Sequence, residues 1–369
     1  MRPGLLILLV LAACHKSAPA AQVASVRDVG AVSFPAQVRA RDGGYSVGWG
    51  SKSVWVFGDT TLRAPGEDGP SGTSWRSSTS SWTESLDASA GLRVDQQVPD
   101  SKGAPRELLP FTAEETAYNA AHRGTDCPAG SDCGARWALW PAAIVPDPAR
   151  GRALLFYSKI AAKTGAYNFK GVGTSIASWA APEAAPVRSA LRPGTAEPTL
   201  LFPDGEPPLG AGGVVVADQL YAYGCACAGL RCPCLLGRAP LAAATDRAQW
   251  TFWNGSAFSA DAAKAAPVFD GSPAVSVQFN AHLGRYLALY SIPVGNDIGL
   301  RTADRPEGPW SDQLTVTSTP PPPTAGAWNY AGVGHPELAK DSGRIEYLSY
   351  FHDLGNFDGE MKLLEITFR

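Results

Sequence analysis

Residues 41–60 read RDGGYSVGWGSKSVWVFGDT, two short strand-like runs joined by a Gly-rich turn, with Asp42 opening the first and Asp59 closing the second. Pairing about a turn centred near Gly50 and Ser51 lays the start of one strand beside the end of the other, so both aspartates are expected at one rim of a sheet. Taken singly, each is also ordinary turn chemistry, since an aspartate beside Gly43 or before Thr60 readily accepts local backbone N–H groups. Their expected proximity makes them candidates. Two carboxylates on a rigid scaffold are the minimum equipment for cleaving a glycosidic bond.

The hairpin recurs. Segments 140–158, 210–224, 274–291 and 334–350 repeat the form of an apolar strand, a turn, and a strand rich in aromatics. Five widely spaced antiparallel hairpins predict an all-β, five-bladed β-propeller, in which the ring protects its own edges. The last four hairpins follow one another at intervals of about 60 to 70 residues, longer than the ~40 to 50 of a plain blade, so elaborate loops are expected. A long insertion follows the first hairpin, from about residue 60 to 140. Within it Thr112-Ala113-Glu114-Glu115 has the spacing of a helix capping box. Gly-containing first strands suit the crowded ring centre, and the second strands supply aromatics that pack between blades.

Composition agrees. The 369 residues include 39 Gly and 31 Pro, as in a turn-rich β protein, and a net charge of -3 gives no nucleic-acid footprint. The start, MRPGLLILLVLAACHKS, has a short apolar run and Leu11-Ala12-Ala13 before Cys14. This resembles a lipoprotein signal, with Cys14 as the lipidated residue and residues 1–25 as signal and tether ahead of a single domain over 26–369. An ordinary cleaved signal is the alternative. Both predict export, here to the cell surface or outer membrane as a monomer held to the membrane by lipid. Export makes disulfides of the other cysteines. Cys127 and Cys133 can close a small loop. A hairpin centred on Gly229 and Leu230 would set Cys225 against Cys234 and Cys227 against Cys232, although four cysteines allow three connectivities. The C-x-C spacing disfavours a zinc knuckle, and no metal or cofactor is expected.

Further candidates cluster by position. Glu337, in His335-Pro336-Glu337, reads as the opening of the fifth inner strand and as a third catalytic acid; its bland alternative is a buried charge paired with Arg76 or Arg301. His335 is a candidate sugar contact or a satisfied structural histidine. Trp140 could stack on a sugar or simply pack. No G-x-S-x-G, Walker, H-E-x-x-H or EF-hand pattern occurs, which leaves acyl transfer, nucleotide and zinc-protease chemistry without local support.

Several of these stretches, RDGG with VFGDT, WRSST at 75–79, WTFWNG at 250–255, LRTADRPEGPWSD at 300–312 and GHPEL, resemble one family. It comprises secreted five-bladed propellers long known only as a domain of unknown function and now including bacterial endo-D-arabinanases. The resemblance spans about residues 30–369. It implies a central pocket with paired catalytic aspartates at Asp42 and Asp59 and hydrolysis of furanosidic links in an arabinan-like envelope polysaccharide; Arg76, in WRSST, is a further candidate for substrate binding. The cysteine-rich insert and the lipoprotein start depart from it. A non-catalytic carbohydrate-binding or scaffold propeller is the alternative of a different class.

Overall fold

The computed structural model describes residues 21–124, 132–165, 168–355 and 358–369. Among these residues the strands form five antiparallel sheets with a single α-helix, Ala113–Ala121. Four of the five expected hairpins fall on the first two strands of one sheet; the fifth, 334–350, meets its inner strand only at Gly334. The inner strands are Val38–Trp49, Arg136–Asp147, Gly212–Val216, Ser276–Asn280 and Tyr330–Gly334, and each touches the next around a closed cycle. The fold is the five-bladed β-propeller the repeats predicted. Part of the expected insertion is recruited into blade 1, where Trp75–Arg76 and Thr79–Thr83 both pair with Lys52–Leu62.

Ring closure was not read from the sequence. The chain enters along Val23–Ala31, which pairs antiparallel with the last strand, Asp358–Phe368, and so completes blade 5 from its outer edge. This strand begins inside the segment expected to be tether. Joining the first and last strands in one sheet makes ring opening cost a whole ladder of hydrogen bonds. Direction matters for function. The inner strands run parallel to one another, so their starts define one face and their ends the other. Val23 lies opposite Phe368, at the face where the inner strands end.

The second strands carry the packing. Trp55, Phe57, Phe156, Tyr157, Tyr223, Tyr290 and Tyr347 are all buried. Each such ring removes roughly 200 Å² from water, worth on the order of 2 to 3 kcal/mol. The predicted capping box is present: Thr112 Oγ1 accepts from Glu115 N–H, and the Glu115 carboxylate accepts from Thr112 N–H. Glu115 also receives Arg188 at 2.7 Å and Lys159 at 3.0 Å. This buried cluster clamps the helix, and with it the insertion, to blade 2. Disulfides join Cys225 to Cys234 and Cys227 to Cys232, the nested pairing of a hairpin. Cys133 is disulfide-bonded; Cys127 and Cys14 lie outside the described residues. No helix among the described residues is long and apolar enough to cross a membrane.

Candidate active site

Asp42 sits in a break in the blade 1 ladder. Arg41 pairs with Thr60 and Gly43 with Phe57, leaving Asp42 opposite Gly58 and Asp59. The RDGG sequence makes this possible. Gly43 and Gly44 adopt φ of 81° and 100°, conformations that cost a residue with a Cβ, and they build a double bulge that re-aims the side chains. In the sequence both glycines read as turn residues; they lie within the strand. On the other side of Lys52–Leu62 the ladder jumps from Phe57 with Thr79 to Thr60 with Arg76. The strands therefore part on both sides of Gly58 and Asp59. Gly58 is needed for space as well, because a Cβ there would lie 2.6 Å from Asp42 Oδ1.

The two carboxylates share one environment. The Asp59 backbone N–H donates to the Asp42 carboxylate, and Tyr330, opening the fifth inner strand, donates its hydroxyl to Asp42 Oδ2 at 3.3 Å. Asp59 Oδ1 accepts from two indoles, Trp75 Nε1 at 2.9 Å and Trp140 Nε1 at 3.1 Å. Arg136 Nη2 stands 3.8 Å from Asp59 Oδ2, and its guanidinium lies over the Trp75 ring. The site stays open to solvent, with the Asp59 side chain 18% exposed.

These surroundings raise both acids above the ordinary carboxylate range, with different partners opposing the rise. Burial, then the neighbouring Asp59 charge, raises Asp42 to about 8. Burial also raises Asp59, but Arg136 and the indole N–H groups favour its charged form and pull it back. At neutral pH Asp42 keeps its proton, and Asp59 is the carboxyl to which Arg136 and the two indoles lend support in its charged form.

Blades 1, 2 and 5 thus converge on the aspartates, through Asp42 and Asp59, Trp140 and Arg136, and Tyr330. Tyr330 and Arg136 were missed in the sequence. Their signal was weak, but each lies at the start of an inner strand, the position the propeller sends to this mouth.

The expected third acid is corrected. Glu337 and His335 lie past the end of their inner strand, which stops at Gly334, and Pro336 starts a 3-10 turn there. They therefore occupy the opposite end of the ring. Glu337 Oε1 accepts from Ser46 at 2.5 Å and Ser53 at 2.6 Å, and Ser46 is four residues, about 13 Å of strand, beyond Asp42. His335 is buried between Ser46 and Ser349 and stacks on Trp55 at 4.0 Å. Burial lowers it to about 3, so it stays neutral. Toward this end of the ring, inner-strand residues such as Val47, Val145, Val277 and Val333, with Ser46 and Pro336, line an axial cavity of about 320 Å³.

Arg76 is corrected too. All five of its N–H donors are engaged, by Asp100 and by the carbonyls of Pro105, Gly72, Trp75 and Glu67. None is left for a sugar. Arg76 holds the loop that presents Trp75. Arg301 likewise pairs with Tyr290, Asp270 O and Ser311 O rather than with Glu337.

Fold and site together define a five-bladed β-propeller with a partly buried pair of aspartates at one axial mouth. Residues 211–352 match the model of a domain of unknown function, DUF4185, in keeping with the resemblance read from the sequence motifs. The match covers blades 3 and 4 and much of blade 5, not the aspartate-bearing strands. No curated protein matches the chain. A Bacteroides ovatus protein named provisionally as a hydrolase superposes with a TM-score of 0.56 at 14% identity, over 91% of this chain and 86% of that one. This likeness establishes the shared fold. Lower scores are found for a GH43_1 enzyme from Xanthomonas citri complexed with xylotriose (0.49; 12% identity; 91% and 89% covered). The alpha-L-arabinofuranosidase of Podospora anserina in complex with cellotriose gives 0.47 at 10% identity, with 94% and 97% covered.

Proposed function

We propose that the protein is an exported glycoside hydrolase acting on furanosidic links of an arabinan-like cell-envelope polysaccharide. The observation that carries this reading is the Asp42–Asp59 pair, buried together yet open at the mouth, with Asp42 holding its proton and Asp59 facing the Arg136 cation and the two indole donors of the site. In the proposed reaction Asp42 donates its proton to the leaving-group oxygen as the C–O bond breaks. Asp59, oriented by Trp75 and Trp140, either takes the proton of a water that attacks the anomeric carbon, or attacks that carbon itself to form a glycosyl ester that water, deprotonated by Asp42, then hydrolyses. Arg136 favours the charged form of Asp59 against the burial that raises it. The furanose preference rests on the motif resemblance.

Export rests on the lipobox-like start and on the nested disulfides. Anchoring through Cys14 has a geometric consequence. Because Val23 enters at the face opposite the aspartates, a lipid tether leaves the mouth pointing away from the membrane, toward polymer in the envelope.

The test is incubation of purified protein lacking residues 1–20 with arabinogalactan and a panel of furanose and pyranose polymers, reading new reducing ends, beside Asp42→Asn and Asp59→Asn variants. Product from the parent and none from the variants is expected. Equal product from all three, or none across the panel, would overturn the proposal and leave a binding propeller.

A further inference from the structure

Phe169 is a large apolar side chain held at the mouth with no core to join. It starts the third strand of blade 2, just past the turn that follows Arg152–Ala162, and is paired with Ala162. Its ring meets the Trp140 indole edge-on, with centroids 4.8 Å apart at 74°, and it remains 48% exposed. A lone exposed apolar residue is common and needs no explanation. Two observations set this one apart. Among the described residues only two phenylalanines are counted with the exposed large hydrophobics, and the other, Phe279, lies where an inner strand ends, on the opposite face. The indole that holds Phe169 is also one of the two that donate an N–H to Asp59.

Asp59, Trp140 and Phe169 therefore form a continuous line running outward from the reactive pair. The two rings stand as the sides of a corner. A sugar ring presents hydroxyls at its rim and C–H groups on its faces, so it is matched by an aromatic face with hydrogen-bonding groups beyond the edge. Distance from the aspartates matters too. Trp140 is in direct contact with Asp59, so it borders the ring being cleaved, whereas Phe169 lies one aromatic ring further out, where the next sugar of a chain would lie.

We propose that Phe169, backed by Trp140, is the platform of a second sugar subsite, so that the site takes oligomeric or polymeric glycan and holds at least two adjoining rings. This inference rests on the glycoside hydrolase reading of the same mouth but can fail separately from it.

The experiment uses the full-length protein in mild detergent. Binding to linear arabino-oligosaccharides is measured by calorimetry in an Asp42→Asn background, and KM and kcat are measured in the parent. Phe169→Ala is expected to weaken oligosaccharide binding about tenfold and to raise KM by a similar factor, with a smaller change in kcat. Phe169→Trp should restore both, and Phe279→Ala, on the other face, should leave binding as it was. Thermal melts matching the parent exclude misfolding. An affinity for Phe169→Ala within twofold of its background, or a loss that Trp does not rescue, would overturn the subsite while hydrolysis stands. Weakened binding by Phe169→Ala in a protein that cleaves nothing would keep the subsite and overturn the hydrolase. Absence of binding and cleavage with every oligosaccharide would overturn both.

Discussion

Replacing Asp42 by Asn should do two things at once: remove hydrolysis and stabilise the fold above neutral pH. The second effect follows from the environment that makes the residue an acid. In the unfolded chain the carboxyl titrates near 3.8, and in the folded protein burial and the Asp59 charge raise it to about 8. Between those values the folded protein keeps a proton that the unfolded chain has released. Stability therefore falls as pH rises through this window, by about 1.4 kcal/mol per pH unit at most. Over the whole interval that is about 6 kcal/mol as an upper bound, and solvent reaching the mouth lowers it, so about 2 to 4 kcal/mol is expected. The neutral amide introduced by Asp42→Asn carries no such cost.

Denaturant unfolding of both proteins from pH 4 to 9 tests this. The curves should coincide near pH 4, separate through neutrality in favour of Asp42→Asn, and run parallel above about pH 8. Activity on the polymer should drop by about 10³-fold, within the range for loss of a general acid. Equal pH dependence of stability in the two proteins would refute the shared-site electrostatics. So would an Asp42→Asn variant less stable at pH 8 than at pH 4 by the parent's margin.

Four other outcomes are expected. The pH profile of kcat/KM should be bell-shaped, falling on the alkaline side near 8 as Asp42 ionises and on the acid side above the ordinary carboxylate range as Asp59 gains a proton; an alkaline limb absent up to pH 10 would count against Asp42 as the acid. Trp75→Phe and Trp140→Phe each remove an N–H donor to Asp59, and each should move the acid limb upward and lower kcat about tenfold, as read from the same profile. Gly58→Ala places a methyl 2.6 Å from Asp42 Oδ1 and should cut kcat by at least tenfold, since the carboxyl must move; unchanged kinetics would show that Asp42 adjusts freely. Glu337→Gln keeps an acceptor for Ser46 and Ser53 at the far end of the ring, so activity within about threefold of the parent is expected, and a loss approaching that of Asp42→Asn would restore Glu337 as a site acid.

The propeller was legible because its signals are local. Alternating apolar runs and Gly-bearing turns specify hairpins wherever they occur, and Thr112 with Glu115 marks a helix start without help from the rest of the chain. Asp42 and Asp59 were placed together on the same grounds, since hairpin pairing relates residues close in sequence. The nested cysteine pairing followed from one hairpin.

The failures all involve distance along the chain or the end of a strand. Glu337 was set beside the aspartates by reading GHPEL as a strand start, but the inner strand is Tyr330–Gly334 and Pro336 ends it. A shift of a few residues moves a side chain from one mouth of a propeller to the other, because every inner strand runs the same way. Arg76 looked free in sequence, yet its donors are saturated by loop carbonyls that come near only after folding. Tyr330 and Arg136 reach the aspartates from blades 5 and 2, and nothing local to either residue announces that meeting. Closure of the ring by Val23–Ala31 joins residues more than three hundred positions apart. Periodicity and turn chemistry thus specify which blades form and bring two carboxylates to one hairpin rim; packing five blades around an axis decides which indoles, arginine and tyrosine surround them, and that burial is what lifts both carboxyls above the ordinary range and gives them different partners.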